Sequence, residues 1–130
     1  MSLKVPSALL DRAKEGEVSD AEFITCVRDS LPYAWKVVSE VAGRLRHDGG
    51  EYVDDNRVPP SDAEQGQLLR ALASSSMRRA LERHFGVVLE FQNCCKVAAF
   101  LPEAVDGTTH RSFVSPRAQL LNQSPQLVSC

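Results

Sequence analysis

The chain has 130 residues, enough for one domain with a real core and too few for two comfortable ones. Apolar residues make up 43% and charged residues 25%, ordinary proportions for a globular protein, while aromatics at 6% leave the core to Leu, Val and Ala. The net charge is −2, with 8 basic and 11 acidic side chains in residues 1–60 and 7 and 6 in residues 61–130; this excludes a globally basic nucleic-acid binder but not a local patch.

The opening segment, MSLKVPSALLDRAKEGE, lacks a long apolar run followed by a small-residue cleavage site, so it does not read as a signal peptide. No window approaches the roughly 18 apolar residues of a membrane span. The expectation is a cytoplasmic protein, off the membrane, with its four cysteines reduced.

In chain order, Pro6 suits a first helical turn and Gly16 a stop, with Ala8, Leu9, Leu10 and Ala13 as a short apolar stripe. Ser19 and Glu22 have capping-box spacing and open a helix that buries Phe23, Ile24, Val27 and Cys26. Ser30 is expected to cap the next helix, residues 31–46, with Pro32 in its first turn. Its apolar positions Leu31, Ala34, Trp35, Val38, Val41, Ala42 and Leu45 follow one helical face. Residues 48–60, DGGEYVDDNRVPP, read as a long polar loop.

Ser61 and Glu64 repeat the capping spacing. The series Leu68, Leu69, Leu72, Ala73, Met77, Ala80, Leu81 and Phe85 keeps phase across Ser74-Ser75-Ser76. That continuity favours one helix over 62–85, kinked at the serines and closed by Gly86; the rival reading is a break with Ser74 as a new N-cap. Then VVLEF and KVAAFL predict a hairpin, about 87–101, turning near Asn93. DGTTH reads as a turn, RSFV as a third strand, and Ser115-Pro116 opens a last helix that Ser124-Pro125 stops. The predicted fold class is α+β, mainly α: a single domain over 1–130 of five to six helices with a small antiparallel sheet. Helices 31–46 and 62–85 should pack together, with Trp35 and Phe85 near the centre and Leu68, Leu72 and Leu81 buried.

No motif names a chemistry, and no catalytic residue is assigned. Cys26, Cys94, Cys95, Cys130, His47, His84 and His110 show none of the close ligand pairs that zinc sites use, so no metal and no cofactor is expected. Cys94 and Cys95 as adjacent strand residues would point to opposite faces. A thiol nucleophile would need a nearby cation and a His base; His84 and Lys96 are the local candidates, without an orienting acid.

Gln92 and Asn93 interrupt an apolar stretch, and Gln119, Asn122, Gln123 and Gln126 crowd the end of the chain. Such amides either satisfy loop backbone groups or contact a ligand or partner. The candidate contact set is therefore His84, Gln92, Asn93, Cys94, Cys95, Asn122 and Gln123. Arg70, Arg78, Arg79 and Arg83 lie on or beside the polar side of the 62–85 helix. They are the candidate nucleic-acid contacts, against a bland reading as a solvated face with Glu64 and Glu82 as counter-charges.

The run RALASSSMRRALERHFGVVLEFQNCCKVAAF, with RAQLLNQSP near the end, resembles a family of small uncharacterised, hypothetical actinobacterial proteins. The resemblance covers most of the chain. It implies a bacterial cytoplasmic setting and a stand-alone domain, and it carries over no catalytic or binding residue.

The functional expectation is a non-catalytic protein-binding or regulatory module rather than an enzyme. Its alternatives are a small-molecule binder or thiol-dependent enzyme using the Gln92–Cys95 region, and nucleic-acid binding through the arginine face, which the acidic balance disfavours. An edge strand and a long amphipathic helix are compatible with a homodimer.

Overall fold

The structure, a computed structural model, describes residues 3–93 and 95–122. Helices α1 (Ser7–Glu15), α2 (Asp20–Ser30) and α3 (Pro32–Asp48) come first, then strand β1 (Tyr52–Asp55). Helices α4 (Asp62–Ala73) and α5 (Ser75–Phe85) follow, then strands β2 (Val88–Gln92) and β3 (Lys96–Phe100). A 3-10 turn (Pro102–Ala104) leads to α6 (Thr108–Phe113) and α7 (Pro116–Leu121). This is an α+β architecture, mainly α. The described residues hold seven α-helices rather than five or six, because two expectations fail in the helical direction.

The first failure is the single helix over 62–85. Ser74 leaves the helical region (φ −86°, ψ 119°), and its hydroxyl accepts the Met77 N–H at 3.5 Å, so it ends α4 and caps α5. Three successive serines, each able to bond nearby backbone groups, weaken the helix where the chain turns. The second is RSFV, which is helical within α6. His110 and Phe113, one turn apart, are its buried positions, so the period there is that of a helix.

The third strand lies instead in the stretch read as a loop. β1 pairs antiparallel with β3 in the register Tyr52↔Phe100 to Asp55↔Val97. β2 pairs with β3 from Val88↔Phe100 to Gln92↔Lys96, so the order is β1-β3-β2. The expected hairpin is present, one residue later at its start.

Side chains alternate across the sheet. Leu89, Val97 and Ala99 face the main core, built with Val38, Val41 and Leu45 of α3, Leu68 and Leu72 of α4, and Leu81 of α5. Val88, Ala98 and Phe100 face the other way and meet Phe113 of α6. The sheet is therefore covered on both faces: α2–α5 supply one layer, and α6 with α7 lie over the other. Leu68, Leu72 and Leu81 are fully buried, as expected. Trp35 and Phe85 are not central; their rings meet at 5.2 Å, tilted by 48°, partly buried at the margin of the core.

Capping follows the sequence at Ser19, Ser61 and Ser115, each accepting an N–H three residues on. Gly86 closes α5 in the left-handed region, φ 70°, where a side chain is strained. Ser30 departs from expectation. Its hydroxyl accepts the Lys4 N–H at 2.8 Å, and Leu31 occupies the N-cap position of α3 with no side chain able to serve it. Gln67 of α4 replaces the cap: its buried Oε1 accepts from the N–H groups of Tyr33 (2.7 Å) and Ala34 (3.3 Å). In α1 only Leu9 of the expected stripe is buried.

Candidate functional site

The second face of the sheet is where most of the singled-out amides meet. Gln92, on the last residue of β2, is buried and donates from Nε2 to the Phe113 carbonyl at 2.8 Å. Asn93 begins the β2–β3 turn. Its N–H donates to Gln119 Oε1 at 3.0 Å, and its carbonyl accepts from the amide groups of Gln119 and Asn122. Two side chains of the α7 segment thus grip the turn backbone. The amides satisfy loop groups, which is the structural use open to them.

The turn's strained position is Cys95, φ 81°, rather than Asn93. Cys95 therefore sits in a turn, not on a strand face. Its side chain is buried, and that burial pushes the thiol pKa up. A nucleophilic cysteine needs the opposite shift. Cys94 and Gln123 lie outside the described residues. His84 is exposed on α5, its ring against Trp35 at 5.4 Å and Phe85 at 4.7 Å; among the described residues no hydrogen bond joins it to Cys95.

The four arginines are not gathered into one face. Arg70 and Arg79 are exposed on α4 and α5. Arg78 is half-buried in a pocket of about 240 Å³ with Glu90, Phe91 and Gln119. Arg83 is held by Asp20 through two bonds, 2.7 and 2.9 Å, and this contact lowers the Asp20 pKa.

Two clefts open on either side of β1. Beside α3 lies a cleft of about 620 Å³, lined by Glu40, Arg44, His47, Asp54 and Arg57 among others. Arg57 ties its rim, with its fork on Asp55 and one bond to Glu40. Burial pushes the Asp55 carboxyl up, but the side-chain and backbone hydrogen bonds from Arg57 outweigh it and hold the carboxyl below its ordinary value. Arg44 donates to the Asp54 carbonyl and covers part of the sheet edge.

On the second face of the sheet lies a cleft of about 500 Å³. β1 supplies Tyr52 and Asp54, β3 supplies Lys96, α6 supplies Thr108, Thr109, Ser112 and Phe113, and α7 supplies Arg117, Ala118 and Leu121. Gln92 and Asn122 reach the same cleft. Lys96 and Asp54 pair loosely at 3.4 Å. Leu121 of this lining is 52% exposed, and outside it Val114 and Leu120 are 49% and 76% exposed.

Sequence reasoning missed most of this lining, because its residues come from five elements and share no local spacing. It also missed His110, which fixes α6. His110 Nδ1 accepts the Asp106 N–H at 3.1 Å, which leaves the proton on Nε2, 2.9 Å from Glu90 Oε2. The buried ring also packs edge-on to Phe100. The only local signal was a histidine ending a turn.

Among the described residues no cluster of His, Cys, Asp or Glu gathers as a metal site, and no helix is long and apolar enough to cross a membrane. No curated protein and no solved structure matches the chain. A family model does match, over residues 1–130, and the chain belongs to that family, KH_NucS_shadow, described as the NucS shadow ORF.

Proposed function

We propose that the chain is a non-catalytic binding module that acts through a protein partner, in a bacterial and, from the resemblance, actinobacterial cytoplasm. The observation that carries this reading is an open cleft in which polar side chains stand beside Phe113, Ala118 and the half-exposed Leu121, the chain neighbour of the 76% exposed Leu120. Exposed apolar side chains beside polar groups mark contact surfaces. The reactive groups support the same reading: Cys95 is buried with a raised pKa, and both ring nitrogens of His110 are engaged. The test is capture from host lysate at moderate salt, with wild-type chain and the Leu120→Glu/Leu121→Glu variant as baits. A stoichiometric protein held by the first and lost from the folded second is expected. Equal capture by both would contradict the reading.

Nucleic acid is the second reading; one class of RNA-binding module clamps four nucleotides with a Gly-x-x-Gly loop. This chain contains no Gly-x-x-Gly, and Arg83 is committed to Asp20. Arg70, Arg78 and Arg79 flank the α4–α5 junction and would be the contacts. This reading predicts binding that falls steeply with salt.

A further inference from the structure

Resting on the protein-partner reading, we propose that the cleft over the second face of the sheet takes a partner segment carrying one carboxylate beside an apolar side chain. The charge of the cleft differs from that of the chain. Lys96 and Arg117 face it with Asp54 as the one carboxylate, leaving one excess positive charge in a chain of net −2. Lys96 is already shared with Asp54, whereas Arg117 pairs with no carboxylate among the described residues.

A guanidinium presents a planar fork that a carboxylate fills with two parallel bonds. The remaining lining divides into two kinds. Thr108, Thr109 and Ser112 of α6 offer hydroxyls that donate to a carboxylate or a peptide carbonyl. Phe113, Ala118 and Leu121 supply its apolar part. An acidic residue on Arg117 and an aliphatic or aromatic neighbour on that apolar part would satisfy both halves. A monoanion matches the single excess charge. A nucleic-acid strand would bring several phosphates against Asp54.

The experiment is selection of short random peptides on the full chain, in parallel with Arg117→Glu and Arg117→Lys. Arg117 is exposed and lies on the last helix described, so both variants should unfold at the wild-type temperature. The wild type is expected to enrich peptides with Asp or Glu within two positions of Leu, Ile or Phe. Arg117→Glu should lose them by roughly tenfold or more, and Arg117→Lys by less. Enriched peptides without an acidic residue, or equal binding by Arg117→Glu, would overturn this chemistry while leaving the protein-partner reading intact. Failure of the wild type to enrich any peptide, with only nucleic acid recovered from lysate, would overturn both.

Discussion

Gln67 is the residue at which apolar periodicity and structure diverge most usefully. A buried amide on the core side of α4 looks like an error in a pattern of Leu and Ala, yet it supplies the acceptor that Leu31 cannot provide to α3. Gln67→Ala would leave two N–H groups without a partner, and a loss of about 1–3 kcal/mol in urea unfolding is expected. Leu72, fully buried, answers to the opposite rule: Leu72→Glu should unfold the chain or cost several kcal/mol, about 3 or more, because it buries an unpaired charge. Reversible unfolding of that variant at wild-type stability would contradict the core assignment. Asp55 adds a pH dependence. Its carboxyl titrates lower in the folded chain than in the unfolded one, so its contribution is present above the ordinary value of 3.8 and is lost as pH falls through the folded value. Asp55→Asn should therefore lower stability at neutral pH, and the gap to wild type should narrow in acid. A gap of constant size across that range would contradict the Arg57 contact. Gln67 and His110 are hard to read in sequence because their partners Tyr33, Ala34 and Glu90 lie 20 or more residues away. Leu68, Leu72 and Leu81 were legible because periodicity alone places them.

Elements divide along the same line. Helix starts at Ser19, Ser61 and Ser115 were readable because a capping hydroxyl and the N–H it accepts sit three residues apart. The break at Ser74 was legible only as the rival to one continuous helix, because Ala73 and Met77 keep helical spacing across it; α4 packs with α3 and α5 with α2. β1 was not readable. YVDD carries two acidic residues in four, and only pairing with β3 makes it a strand. α6 is held by His110, whose ring links Asp106, Glu90 and Phe100. His110→Phe keeps the ring contact and removes both polar ones, so it should cost about 1–3 kcal/mol. Amide exchange over residues 108–113 should rise in that variant before the main core opens. Unchanged protection there would mean that α6 is held by Phe113 alone.

At the scale of the molecule, the sheet joins two different layers. One is the large apolar core shared with α2–α5, which accounts for the fold. The other is thinner and more polar, built by α6 and α7, and it holds the amide grip on the β2–β3 turn, the 500 Å³ cleft and the exposed leucines. The candidate site was half legible: Gln92, Asn93 and Asn122 were singled out and do converge, but their bonds are spent on the turn and on the Phe113 carbonyl, and the open surface beside them is built from residues that no motif marks. Contact with a protein partner is the use we propose for this layer. The measurement that tests this most directly is hydrogen exchange on the free chain and on its complex with the captured partner. Protection confined to residues 108–122 and to Tyr52–Asp55 is the predicted result. Protection around Arg70–Arg79 instead, with the outer layer unchanged, would contradict it.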